Sequence, residues 1–204
     1  MPEQNTLARS LHDAGLAAWF GGSLMGAIGL NGASQEVGDY RDRARVANAG
    51  WGRWTPVNAL AIGAHLLGSL QITRANKSRL GAQRGVGTAS VVKAGLTAGA
   101  LGATAYSRVL GQKVMEAEAA EAAKAAGNGS GSDSESEGLP VEDATHATSG
   151  TNGEVAAVQR RLNVLQWAVP ALTGATLIVN AKMSEQQRLT QQLKGFLGRA
   201  NPRK

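Results

Sequence analysis

The 204 residues carry 21 Lys and Arg against 15 Asp and Glu, a formal net charge of +6, and no cysteine. Without thiols the chain has no disulfide framework, no Cys-ligated zinc, no iron–sulfur cluster and no thiol catalysis. Nucleic acid is not an expected partner either, because Lys and Arg form no single patch and instead flank long uncharged runs, as residues attracted to lipid headgroups do.

Those runs set the expected fold. Residues 14–35, 54–73 and 162–181 contain no Asp, Glu, Lys or Arg, and 85–107 contain only Lys93. A run of roughly 20 such residues is long enough to cross about 30 Å of hydrocarbon as a helix. The expectation is therefore an all-α polytopic membrane protein. Four transmembrane helices, at about 14–34, 54–73, 85–107 and 162–181, would form a bundle with short interfacial helices and a disordered acidic loop. The chain divides into 1–126 with three spans and a helical extension, a linker over 127–153, and 154–204 with the fourth span and a basic amphipathic tail.

In chain order, the first span follows Arg9 and is studded with glycine. It lacks a clean small-x-small cleavage site, so it reads as a retained helix rather than a signal peptide. In SQEVGDYRDRARVANAGWGRW, the residues Val37, Tyr40, Ala44, Ala47, Trp51 and Trp54 recur at steps of three and four. That spacing predicts a separate interfacial helix with its tryptophans at headgroup level. Pro56 then falls in the first turn of the second span, where a missing donor costs little. A short loop makes the second and third spans expected antiparallel neighbours. VMEAEAAEAAKAA extends the third helix with strong helix formers. GNGSGSDSESEGLPVEDATHATSGTNG is polar and acidic and predicts disorder, with His146 in solvent. In the tail, Leu189, Leu193, Phe196 and Leu197 share one helical face. WTPVNAL and WAVPAL echo each other, which in Ala-rich sequence reads as coincidence. Eleven Lys and Arg on the N-terminal side against nine on the other favour cytoplasmic termini in a bacterial plasma membrane.

Each span has a face unsuited to lipid. The third presents Ser90, Lys93, Thr97 and Thr104, and the fourth Asn163, Gln166, Thr173, Thr176 and Asn180. The second presents Asn58, His65 and Ser69, and the first Ser23 and Asn31. Polar groups in a bilayer must turn towards other helices or water, so these faces are expected to converge on a polar interior holding His65, Lys93, Thr97, Asn58, Gln166 and Asn163. Gly22 and Gly26 in the first span, and Gly95 and Gly99 in the third, form small-residue ridges suited to close helix packing.

Lys93 and His65 each lie eight residues from the same membrane surface, so they share a depth of roughly 12 Å at a rise of about 1.5 Å per residue. Three readings follow. Lys93 reaches back to the interface towards Asp13 while His65 bonds across helices; or the pair forms an anion or proton-relay site; or His65 ligates haem together with His12 or a partner's histidine. His12 is expected well above His65 in depth. No HExxH, GxSxG or P-loop occurs and no carboxylate pair lies in a span, so neither enzyme activity nor a metal site is expected.

The runs LHDAGLAAWFGGSLMGAIGLNGA, RVANAGWGRWTPVNALAIGAHLLGSL and AYSRVLGQK resemble those of an uncharacterised actinobacterial family of four-helix integral membrane proteins. The likeness covers the four spans, roughly three quarters of the chain. It implies a fold and no site residues. The DoxX-like proteins are similar only at the level of a four-helix membrane fold, which does not fix function. The resulting expectation is a non-enzymatic structural or accessory subunit, a homo-oligomer or part of a larger membrane complex, without a cofactor. The alternative is a small transporter or channel-like bundle with Lys93 and His65 lining a polar path, and the third is a haem-binding redox subunit through His65.

Overall fold

The computed structural model describes residues 6–38, 40–75, 86–127, 145–147, 151 and 153–200. The described residues are all-helical. α1 (Thr6–Met25) runs through a π-helical turn (Gly26–Leu30) into α2 (Asn31–Gln35), followed by α3 (Tyr40–Ala75), α4 (Val86–Gly127) and α5 (Gly153–Ala200). The expected disordered linker and second loop fall mainly on residues 128–144 and 76–85, outside the described residues.

Two pairings dominate the packing, α1 on α3 and α4 on α5, with α1 also lying along α5. Late residues of one helix meet early residues of the next in each case: His65 bonds to His12, Lys93 to Asn180 and Asn31 to Gln166. The neighbours are therefore antiparallel. α3 and α4 scarcely touch, which corrects the expectation that the short loop between them makes them packed neighbours.

The close approach of α1 to α3 has a reciprocal cause. A Cβ at Gly15 would run into the backbone of Ala61 and His65, and a Cβ at Gly68 into the backbone of Ala8 and His12. Each glycine thus lets the other helix's histidine backbone come close. Gly22 and Gly26 pack as well, but against side chains: the ring of Trp54 covers Gly22 and that of Trp51 covers Gly26. Gly99 makes ordinary contact with Leu172. Gly95 is a correction, since nothing described stands within 4 Å of where its Cβ would be.

Residues 40–53 form no separate interfacial helix. They are the first third of α3, a single 36-residue helix with Pro56 in its interior. At a rise of about 1.5 Å per residue it is roughly 54 Å long. The tryptophans point inward rather than to headgroups, because each indole has a glycine notch to fill and Trp51 has a polar partner in Asn31. The π-turn serves the same contact. The buried Ser23, Ala27 and Asn31 follow at successive steps of four across it, a spacing that keeps them on one face. Asn31, 4% exposed, thereby meets Trp51 Nε1 at 2.9 Å and Gln166 Oε1 at 2.8 Å.

Of the described helices, α5 is long and apolar enough over Gly153–Glu185 to cross a membrane, with a mean hydropathy of 1.5 and 22% of its apolar window buried. Gly, Ser, Thr, Asn and the lone lysine dilute the other helices below that level.

Gly15→Ala and Gly68→Ala are each expected to lower thermal stability by about 1–3 kcal/mol, because backbone rather than a side-chain tip must yield. Gly95→Ala is expected to be neutral or to stabilise by up to about 1 kcal/mol through helix propensity. Melting curves of the three purified variants check the contrast.

Candidate functional site: a hydrogen-bonded ring of four side chains

The α1–α3 crossing places two imidazoles in contact, their planes tilted by 45°. The His12 and His65 ring centroids are 4.4 Å apart, and both residues are fully buried. Trp19 closes the other side of His65 at 6.4 Å. The expectation that His12 lies well away from His65 in depth is thus corrected: the antiparallel crossing brings the start of α1 level with the end of α3.

Around His12 the hydrogen bonds close into a ring. His12 Nδ1 lies 2.7 Å from Asp13 Oδ1, and Lys93 Nζ lies 2.7 Å from His12 Nε2. Lys93 Nζ also reaches Asn180 Oδ1 at 3.2 Å, and Asn180 Nδ2 returns to Asp13 Oδ1 at 2.9 Å. Donor and acceptor roles follow from chemistry. An ionised carboxylate only accepts, so His12 Nδ1 carries the proton; Nε2 is then a bare lone pair, and the ammonium donates to it. Asn180 accepts from Lys93 and donates to Asp13. The positive and negative ends of the ring are linked only through His12 and Asn180.

His65 stands on this ring without joining it. Its Nδ1 donates to the His12 carbonyl at 3.1 Å, which leaves Nε2 as an acceptor, buried and unpartnered among the described residues. Asp13 is the ring's outlet, with a side chain 61% exposed against 0% for His12.

The six residues expected to share one polar interior are divided among three places. Lys93 and His65 flank His12, while Thr97 makes no described hydrogen bond to that group. Asn58 and Gln166 lie towards the other end, lining a cavity of about 360 Å³ between α3 and α4. Asn163 bonds to His146 Nε2, so His146 is not simply solvated. It closes the end of the bundle beside Thr145, which is buried and lines the same cavity.

His12, Asp13 and Asn180 were missed as a unit. One signal for His12 was available: Ala8, His12 and Gly15 repeat as Ala61, His65 and Gly68 at identical spacing, and all six are buried.

The two imidazoles do not fit a bis-histidine haem. Such an iron needs a free nitrogen from each ring on opposite sides of it, whereas His12 uses both nitrogens and lies against His65. No group of three or more His, Cys, Asp or Glu suited to a metal ion occurs among the described residues. Comparison with protein families, with curated proteins and with solved structures finds no match to the chain in any of the three, so the site is read on its own chemistry.

His12→Phe and Lys93→Met are each expected to destabilise the fold, because each leaves partners of the ring unpaired. The double variant is expected to fall short of the sum by more than about 0.5 kcal/mol, the mark of residues in one network. A double-mutant cycle from chemical or thermal unfolding measures the coupling.

Proposed function

We propose that the chain is a multi-pass protein of a bacterial plasma membrane, without enzymatic activity, whose helices stand in lipid and whose interior forms a small transport bundle. The membrane placement is supported by the distribution of side chains. His12, Ser34, His65, Thr173 and Thr176 are 0–1% exposed, while Leu60, Val91, Val164 and Ile178 are 60–77% exposed. Leu16, Trp19, Leu110 and Val114 are buried as well, so the support lies in the number of large apolar side chains left exposed, which a water-soluble monomer seldom shows. In lipid this arrangement is the economical one.

The transport reading is carried by one observation, the 2.7 Å contact between Lys93 Nζ and His12 Nε2. It joins an internal ammonium, through an imidazole, to a carboxylate that reaches the surface. Lys93 passes a proton to His12 Nε2, the resulting imidazolium passes its Nδ1 proton to Asp13, and the exposed carboxyl releases it. That transfer leaves His12 protonated at Nε2 and bare at Nδ1, so the cycle closes only when Lys93 is reloaded and the imidazole returns to its Nδ1–H form, by ring rotation or by proton exchange with water. An imidazole that accepts at one nitrogen and donates at the other suits such a step.

A second reading, an accessory subunit packing against itself or a larger membrane complex, is favoured by the outer face of α4. There Val91, Gly95, Ala98 and Gly102 are exposed at steps of four and three, a surface that would let another helix approach closely.

The tests separate placement from activity. The protein is expected to sediment with membranes and to stay there after an alkaline wash; a folded monomer in a detergent-free supernatant would overturn the placement. In proteoliposomes containing a pH-sensitive dye, an imposed pH difference is expected to drive proton flux that Lys93→Ala and His12→Ala each reduce at least about tenfold, the effect of losing roughly 1.4 kcal/mol at a required step. Equal flux in the wild type and both variants would remove the transport reading and leave the accessory one, which a monodisperse, partner-free monomer in mild detergent would in turn count against.

A further inference from the structure

The ring has the connectivity of a nucleophile, a base and a group that orients the base. Lys93 Nζ stands 2.7 Å from His12 Nε2, and His12 Nδ1 stands 2.7 Å from Asp13 Oδ1. An amine attacks carbon only through its lone pair, which an ammonium lacks until a neighbouring base removes a proton. His12 Nε2 is placed to be that base. Its lone pair already faces Nζ, and the carboxylate on its other nitrogen fixes the tautomer and steadies the imidazolium that forms. Asn180 Oδ1 accepts a second proton of the ammonium at 3.2 Å. The third has no partner among the described residues, and Lys93 is half-buried rather than enclosed, so the nitrogen keeps one open side.

We propose that Lys93 forms a covalent imine with an uncharged aldehyde. Lys93 passes one proton to His12 Nε2, and the freed amine adds to the carbonyl carbon. A proton moves from nitrogen to the former carbonyl oxygen, giving a carbinolamine. His12 then returns its proton to the carbinolamine hydroxyl, which leaves as water while the nitrogen lone pair closes the C=N bond. The product is a protonated imine, with one positive charge on the same nitrogen as before and no oxidant or reductant consumed. Imine formation needs only the ring and is independent of proton flux.

Charge selects the electrophile. Asp13 supplies the ring's negative charge, and His12 Nε2 and Asn180 Oδ1 are both acceptors facing Nζ. A protonated imine keeps the charge balance and still donates its remaining N–H to one of them. An acyl donor would convert the ammonium into a neutral amide, and carbon dioxide would convert it into a carbamate, an anion set beside Asp13. A charged aldehyde would bring in a charge that the ring does not compensate.

The test uses the full chain in mild detergent at neutral pH. Propanal is the probe, sodium cyanoborohydride reduces the imine to a stable propyl-lysine, and peptide mass spectrometry locates it. Lys113 and Lys182, both exposed, are the internal references. Lys93 is expected to react at least about tenfold faster than either, a conservative share of what a positioned base contributes, and denaturant is expected to abolish the difference. Asp13→Asn, at a side chain 61% exposed, is expected to slow Lys93 at least about tenfold without changing Lys113; His12→Phe, where its melting curve shows it folded, is expected to do the same. Lys93 reacting no faster than Lys113 in the folded protein, or keeping its lead in the Asp13→Asn variant, would overturn the activated amine. A larger lead with glyoxylate would overturn the uncharged class, and a larger lead with p-nitrophenyl acetate would replace the aldehyde with an acyl donor.

Discussion

The structure depends on one crossing, where α1 and α3 meet through two copies of the same short pattern. Ala8, His12 and Gly15 on one helix face Ala61, His65 and Gly68 on the other, and each glycine is buried against the backbone beside the opposite histidine. A side chain at either glycine would separate the helices, and the imidazoles would no longer stack. The arrangement is reciprocal in packing but not in hydrogen bonding. His12 has Asp13 next to it in sequence and turns its Nδ1 there, whereas His65 is followed by Leu66 and turns its Nδ1 to the His12 carbonyl. One neighbouring residue thus decides which histidine faces Lys93 with a free lone pair.

That asymmetry bears on how a lysine is tolerated inside the bundle. An ammonium taken from water needs an opposite charge and partners for its protons. Here the charge comes from Asp13 at the surface, and His12 and Asn180 carry the connection inward. The same polar interior accounts for the modest hydropathy of α1, α3 and α4. Averaging along a helix mixes the inward face, rich in His, Asn, Ser and Thr, with an outward face of Leu, Val and Ile, and the mean conceals both. The case for lipid therefore rests on which side each residue faces more than on any helix's average composition.

The helices and the existence of an inward polar face were legible in the sequence, because each follows from local spacing. What was not legible depends on contacts between helices. A change from charged to apolar residues near Trp54 reads as a boundary between two helices, yet the backbone does not break there, and Trp51 and Trp54 cover Gly26 of the π-turn and Gly22 of α1. The notches at Gly22 and Gly26 and the indoles that fill them are far apart in sequence. The π-turn is hidden as well, because nothing in GAIGL separates it from the α-helix on either side. His146 was misplaced because an acidic, glycine-rich neighbourhood gives no sign that Asn163 lies within reach.

Between the ring and the cavity lies an apolar layer of Leu16, Trp19, Ala100 and Val169. Trp19 is its centre. Its indole N–H donates to Thr104, which lines the cavity, at 3.2 Å, while its ring faces His65 on the other side. The layer separates the polar ring, which reaches the surface through Asp13, from the largely apolar cavity bounded by α3, α4 and α5. The hydrogen bond to Thr104 contributes only about 0.5–1.5 kcal/mol net, whereas truncating a fully buried tryptophan costs about 3–5 kcal/mol. Trp19 is therefore held chiefly by its packing, and the hydrogen bond sets which way its indole edge faces.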